Sequence, residues 1–280
     1  MHIIIESKSL NKGFYGIFIL MFFLSCTGET EQKIDQPDWQ LAWSDDFNGA
    51  KGVQLDKTKW TYDIGRGQGG WGNQELQYYT DRPENVSMDG EGNLVITAIK
   101  ENYQGAQYTS ARFKTQGIFD QQYGKFEARI KTPYGQGLWP AFWMLGSNIT
   151  QVNWPQCGEI DIMELRGQAP TIAECALHGP GYSGANSITG KNILTNSRYD
   201  DKFHVFAVVW DESKIDFYID NYLYRRIEKS EVEKKGQWVY DHPFFLLFNV
   251  AVGGNFLGSP NTSTPFPQQM VIDYVKVYKG

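Results

Sequence analysis

Gly124-Lys-Phe-Glu-Ala-Arg-Ile-Lys131 alternates without a break, with Phe126, Ala128 and Ile130 on one face of an extended chain and Lys125, Glu127, Arg129 and Lys131 on the other. Successive side chains of a strand point to opposite faces, so this segment reads as a strand with one side in a core and the other in water. Working outward, Asn93 to Lys100, Phe203 to Trp210, Lys214 to Ile219, Phe244 to Val250 and Met270 to Tyr278 read the same way. Gly, Pro, Asn and Asp punctuate the intervals, and few stretches hold a 3.6-residue period. The fold class from Trp39 onward is therefore all-β. Roughly a dozen strands in about 240 residues, with no linker among them, predict one large sandwich. Glu228 to Lys235 is the one convincing charged run and predicts a solvated turn or short helix.

The chain has 280 residues, 41% apolar and 15% aromatic, enough to close a sizeable core and too aromatic for a disordered segment. Lys plus Arg total 26 against 32 Asp plus Glu, a net charge of −6. No basic cluster tracks a phosphate backbone, which excludes nucleic acid as a partner class and disfavours sulfated polymers more weakly.

Lys8 and Lys12 precede the apolar run Phe14 to Leu24, which ends at Ser25-Cys26. That is the pattern of a secretory signal peptide, shorter than the ~20 residues of a membrane span. Leu24-Ser25-Cys26 resembles a bacterial lipobox, which would leave Cys26 as a lipid-modified first residue; the alternative is an ordinary signal with a chance cysteine. The predicted organisation is a signal peptide over 1–26, a polar tether over 27–37 and a folded domain over 38–280. The expected location is the bacterial cell envelope, with membrane contact only through the lipid. Cys157 and Cys175 lie on successive predicted strands and suit either one disulfide or two buried thiols.

Gly158-Glu159-Ile160-Asp161-Ile162-Met163-Glu164 puts three carboxylates on an otherwise apolar strand. Carboxylates do not sit there without a reason. Glu159 and Asp161 share a face, but Glu164 would point the other way unless one extra residue, a β-bulge at Ile162 or Met163, brings it back. Two glutamates facing one cleft are the equipment of a retaining glycosidase, one as nucleophile and the other as acid. Their proton affinities must differ, and Asp161 between them can orient Glu159, share its proton and help keep Glu164 protonated. A calcium site or a surface acidic strand are the competing explanations. Upstream, Trp139 and Trp143 in Leu138-Trp-Pro-Ala-Phe-Trp-Met-Leu145 fall on one face of an extended segment, where indoles can serve as sugar platforms or as core.

Glu159-x-Asp161-x-x-Glu164 preceded by Trp-Pro-Ala-Phe-Trp resembles the signature of glycoside hydrolase family 16, in its bacterial laminarinase branch. Trp71 to Thr80, Tyr108 to Arg112, Leu177 to Ser183 and Phe266 to Val275 resemble the same branch, in that order. The resemblance implies a jelly-roll of two curved antiparallel sheets with a concave substrate cleft. It implies retaining endo-hydrolysis of β-1,3-glucan, with Glu159 as nucleophile, Asp161 as its assistant and Glu164 as general acid/base. Trp139 and Trp143 match positions that stack glucose on the non-reducing side. Asn73 and Arg112 match positions that hydrogen-bond sugar hydroxyls, and His178 matches one beside the catalytic centre, although a lone histidine is often structural.

Asp273 is a carboxylate among Val271, Val275 and Val277 on what alternation reads as an apolar face, so it needs a partner. The resemblance implies a structural Ca2+ held by Asp273 and by backbone oxygens at Asp46 and Gly92, with no cofactor for catalysis. Glu174 and Cys175 depart from the small or neutral residues expected there, which puts the local subsite in doubt. The expected partner is a β-glucan, mixed β-1,3/1,4-glucan included, and the expected state a monomer. Hydrolysis of agar or carrageenan, transglycosylation, and glucan binding without catalysis are the alternatives.

Overall fold

Among residues 38–280, which the computed structural model describes, the alternation becomes seventeen strands and one α-helix. The predicted signal peptide, the tether and Cys26 lie outside the described residues. In chain order the strands are β1 (Gln40–Asp45), β2 (Thr61–Asp63), β3 (Gln77–Tyr79), β4 (Val86–Met88), β5 (Leu94–Tyr103), β6 (Ala106–Ser110), β7 (Arg112–Lys114), β8 (Gly124–Lys131) and β9 (Leu138–Gly146). They continue with β10 (Glu159–Leu165), β11 (Ile172–His178), β12 (Ile188–Ile193), β13 (His204–Trp210), β14 (Lys214–Ile219), β15 (Tyr222–Glu228), β16 (Phe244–Val252) and β17 (Gln268–Lys279). Helix α1 (Lys229–Val232) falls in the predicted charged run.

Ten strands form one sheet, in the order β15-β14-β13-β8-β17-β5-β6-β3, with β1 beside β17 and β4 beside β5. The other seven run β12-β11-β10-β9-β16-β7-β2. The sheets pack as a sandwich, and their pairings are antiparallel apart from the parallel pair β3 and β6. Phe126, Ala128 and Ile130 are fully buried, as the alternation of β8 requires. Trp210 of β13 meets Phe244 of β16 edge-on at 5.2 Å, while Phe248 stacks on Phe142 at 4.5 Å and on Phe113 at 5.5 Å. Such aromatic pairs each add about 0.5–1.5 kcal/mol beyond their burial.

Three segments depart from simple alternation. Glu127, on the outer face of β8, is buried, because Lys125 pairs with it at 2.7 Å and the Tyr278 hydroxyl donates to it at 3.3 Å. Every residue of β16 is buried, so this central strand is covered on both faces. Its outward side chains, Phe245 and Leu247, join Leu145, Cys157 and the partly exposed Trp143 in a second apolar cluster on the outer face of that sheet. In β17 the register shifts between Ile272 and Tyr274, so Met270 and Ile272 face the core with Val275 and Val277, and Val271 does not. Asp273 therefore stands in a bulge, and the partner it needs is Arg129, whose guanidinium pairs with its Oδ2. Cys157 and Cys175 are buried free thiols.

Candidate active site

The bulge in β10 is present against both neighbours. Opposite β11 the register shifts between Asp161 and Glu164, and opposite β9 between Asp161 and Met163. Ile160, Ile162 and Met163 point into the core at 0–1% exposure. Glu159, Asp161 and Glu164 are left together on the outer face of the seven-stranded sheet. Antiparallel partners share a face, so Trp143 opposite Asp161, and His178 opposite Glu159, line the same surface.

Each carboxylate has its own set of partners. Trp154 donates from Nε1 to Glu159 Oε2 at 2.8 Å, and Trp139 donates from Nε1 to Glu164 Oε1 at 2.9 Å. His178 Nε2 lies 3.1 Å from Asp161 Oδ2 and 3.7 Å from Glu159 Oε1. The contact with Asp161 is close enough for charge attraction but is not aligned as a hydrogen bond, since Asp161 Oδ2 has no hydrogen-bond donor. The Gly184 amide donates to His178 Nδ1 at 3.0 Å, and the Tyr240 hydroxyl donates to the His178 carbonyl at 3.0 Å. These bonds lock the ring and place its proton on Nε2, toward the carboxylates.

Burial raises the pKa of all three acids, and they raise one another's. The compensations are unequal. His178, the Trp154 indole and a hydrogen bond from Asp161 all favour the ionised form of Glu159. Glu164 has His178 and the Trp139 indole on that side, and Asp161 and Glu174 opposing it. Glu164 thus has less support for its charge than Glu159. Burial lowers the pKa of His178, but the neighbouring carboxylates, Asp161 first, then Glu159 and Glu164, outweigh it and push the value up to about 9. The Gly184 amide opposes that second protonation, because it needs an unprotonated Nδ1.

Beyond the carboxylates the sheet carries indoles. Trp139 is half-buried, with Phe256 packed against it at 4.8 Å. Trp143 donates to Asn249 Oδ1 at 2.8 Å. The Arg112 guanidinium lies 4.7 Å from the Trp71 ring and 4.7 Å from the Trp143 ring, and Asp63 pairs with it at 2.9 Å. Arg112 is thus a cation held between two indoles. Asn73 ends a left-handed run in which Gly69, Gly70, Trp71 and Gly72 all have positive φ. A Cβ on Gly70 would lie 2.5 Å from the Glu75 amide nitrogen, so only glycine fits there. Asn73 Nδ2 donates to buried Glu75 at 3.4 Å, and Gln77 and Tyr79 donate to the same carboxylate at 2.6 and 3.1 Å.

Sequence reasoning missed Trp154, Glu75 and Asn249. Trp154 is 44% exposed on the turn before β10, and its signal was a tryptophan five residues ahead of Glu159. Glu75 stood within the quoted segment Trp71 to Thr80 but was not weighed as a carboxylate. Nothing in the all-apolar surroundings of Asn249 distinguishes it from a polar interruption of a core strand.

Two places can be tested for a metal. Single ligand atoms of Glu159, Asp161 and His178 all lie within 4.8 Å of one another, and this set could hold an ion. On the other sheet, Leu94 pairs with Ile272 and Asp45 with Val275 along one edge of β17. Gly92, two residues before Leu94, and Asp46, one residue after Asp45, therefore flank the Asp273 bulge along that edge. Arg129 occupies Asp273 Oδ2, and Lys276 lies 3.8 Å from Asp46 Oδ1.

Two glutamates brought to one face of a β-sheet by a bulge, with indoles alongside, are the equipment of a polysaccharide-hydrolysing β-sandwich. Residues 72–276 match the model of glycosyl hydrolases family 16, and the chain belongs to that family. The laminarinase catalytic domain from Thermotoga maritima MSB8 is 47% identical, with a TM-score of 0.82, covering 87% of this chain and 99% of its own. The endo-β-1,3-glucanase from Pyrococcus furiosus is 45% identical, with a TM-score of 0.81, covering 86% of this chain and 94% of its own. A β-glucanase from Rhodothermus marinus is 40% identical over 272 residues, 94% of this chain and 93% of that protein.

Proposed function

We propose that this protein is a retaining endo-hydrolase of β-1,3-glucan. The observation that carries the reading is the β10 bulge, which sets Glu159 and Glu164 on one face with unequal support for their charges. Glu159 attacks the anomeric carbon while Glu164 gives its proton to the departing glycosidic oxygen, and a glycosyl ester on Glu159 forms as the C–O bond breaks. Glu164, now ionised, takes a proton from water, whose oxygen attacks the same carbon and releases Glu159. Asp161 shares a proton with Glu159, and His178 holds both in place. Trp139 and Trp143 carry the glycone, Asn73 contacts its hydroxyls, and Arg112 acts through the indoles it supports.

The test is a pair of variants. Glu159→Ala abolishes laminarin hydrolysis while binding persists. Glu164→Ala is nearly inactive on polymer and regains turnover on an activated glycoside when azide is added. Normal activity in either variant overturns the mechanism, and a panel including mixed-linkage glucan, agar and carrageenan sets the substrate range.

Two further assignments belong to the same reading. A structural Ca2+ would be held by the Asp273 carboxylate and the Asp46 and Gly92 carbonyls, tying three strands together. A fall in melting temperature with chelator, reversed by Ca2+, tests it. The N-terminus would carry the enzyme to the envelope with a lipid on Cys26, which acyl labelling of the wild type and its loss in Cys26→Ser would test.

A further inference from the structure

Cutting within a chain requires a place for the departing sugar, and β11 and β12 carry a charged cluster that the two-glutamate reaction leaves unused. Glu174 stands opposite Glu164 across the β10–β11 pair, and Lys191 stands opposite Glu174 across β11–β12. The three side chains form one row across the strands on the cleft face. Glu174 is buried, and its Oε1 pairs with the Arg166 guanidinium and, at 3.6 Å, with the Lys191 ammonium. Arg166 in turn lies over the Phe256 ring at 3.7 Å and donates to the Phe256 carbonyl at 3.1 Å. Phe256 packs on Trp139, which donates to Glu164. The contacts close a ring that runs from Glu164 through Trp139, Phe256, Arg166 and Glu174 back to the strand position opposite Glu164.

Burying a carboxylate beside the acid is costly, and a well-packed apolar residue would serve stability better. The cations are not buried with it: the Lys191 side chain is 51% exposed and that of Arg166 30%. Lys191, on β12, and Glu174, on β11, lie on the far side of the carboxylates from Trp143 and Arg112 in the sheet order, and Arg166 spans from Glu174 to Phe256.

We propose that Arg166, Glu174 and Lys191 form the binding site for the leaving-side sugar, a neutral hydroxylated ring. The inference rests on the hydrolase reading, which lays the glycone over β9, β16 and β7. Sugar hydroxyls donate to Glu174 and accept from Arg166 and Lys191, and hydrogen bonds to charged groups are about twice as strong as neutral ones. The same site receives an incoming sugar in the second half-reaction. Its hydroxyl oxygen then forms the new bond to the anomeric carbon, its proton passes to Glu164, and the ester bond to Glu159 breaks.

The experiment compares two substrates with one glycone, a β-1,3-gluco-oligosaccharide and an aryl β-glycoside whose leaving group offers no hydroxyls. For Glu174→Gln and Lys191→Met in the full-length protein, kcat/KM on the oligosaccharide relative to the aryl glycoside is expected to fall about tenfold, the scale of one lost bond to a charged group. The share of transfer products at high sugar concentration is expected to fall with it. Should Glu174→Gln fail to fold, the ratio in Lys191→Met decides, since that side chain is half exposed. An unchanged ratio, or equal losses on both substrates, overturns the proposal. A wild type inactive on both substrates overturns the hydrolase reading instead.

Discussion

The indole nitrogen of Trp154 reaches Glu159 Oε2 at 2.8 Å, while that of Trp139 reaches Glu164 Oε1 at 2.9 Å. Each glutamate thus owns one tryptophan donor, and each donor lowers the pKa of the acid it touches.

Phenylalanine keeps a ring and removes the donor. In Trp154→Phe the Glu159 pKa rises, so the acidic limb of the kcat/KM profile moves to higher pH. In Trp139→Phe the Glu164 pKa rises, so the alkaline limb moves to higher pH. Profiles on one small substrate check both, and a shift of the same limb in both variants contradicts the pairing.

Glu164 has a pKa raised by burial and by Asp161. Ionising it in the folded protein therefore costs stability above its folded-state pKa, a cost that disappears below the unfolded value near 4.5. Glu164→Gln is expected to melt higher than wild type at alkaline pH, by a few degrees, with the gap closing as pH falls toward 4.

Arg112 is held between Trp71 and Trp143. Arg112→Met removes the planar cation and leaves Asp63 with Lys114 alone, at 2.6 Å. We expect KM for glucan oligosaccharides to rise roughly tenfold, with stability lower by about 1–2 kcal/mol, the value of two partly desolvated cation–π contacts. Steady-state kinetics and thermal melts separate the two effects.

Gly70 has φ +62, and an added Cβ meets the backbone of Glu75. Gly70→Ala is expected to lose about 1–3 kcal/mol from strain and to displace Asn73. Denaturant unfolding measures the first and oligosaccharide affinity the second.

Phe248 touches Phe142, Phe113 and Trp60. Phe248→Ala is expected to cost about 3–5 kcal/mol, measurable by the same unfolding experiment.

Legibility in the sequence followed the physics of each segment. The β8 strand could be read because one face is apolar and the other charged. The bulge in β10 could be read because three carboxylates cannot share a face without it. The double burial of β16 could not, since its outer cover comes from Leu145, Cys157 and Trp143, which are distant in sequence. The bulge at Asp273 was hidden because valines on either side of it imitate an unbroken apolar face. Trp154 was missed, and the stacked setting of Arg112 was not foreseen, for one reason: these contacts depend on which ring or carboxylate stands across from them, and no period encodes that.

The extra residue in β10 also bears on the history open to this chain. Deleting Ile162 or Met163 would leave the second glutamate four residues after Glu159, and a regular strand would still present it to the same side. A one-codon deletion in the middle of a catalytic strand, ordinarily ruinous, would here spare the orientation of the acids and forfeit one buried side chain. Bulged and regular versions of the strand are thus neighbours in mutational space, joined by a step that keeps the acids on the cleft face.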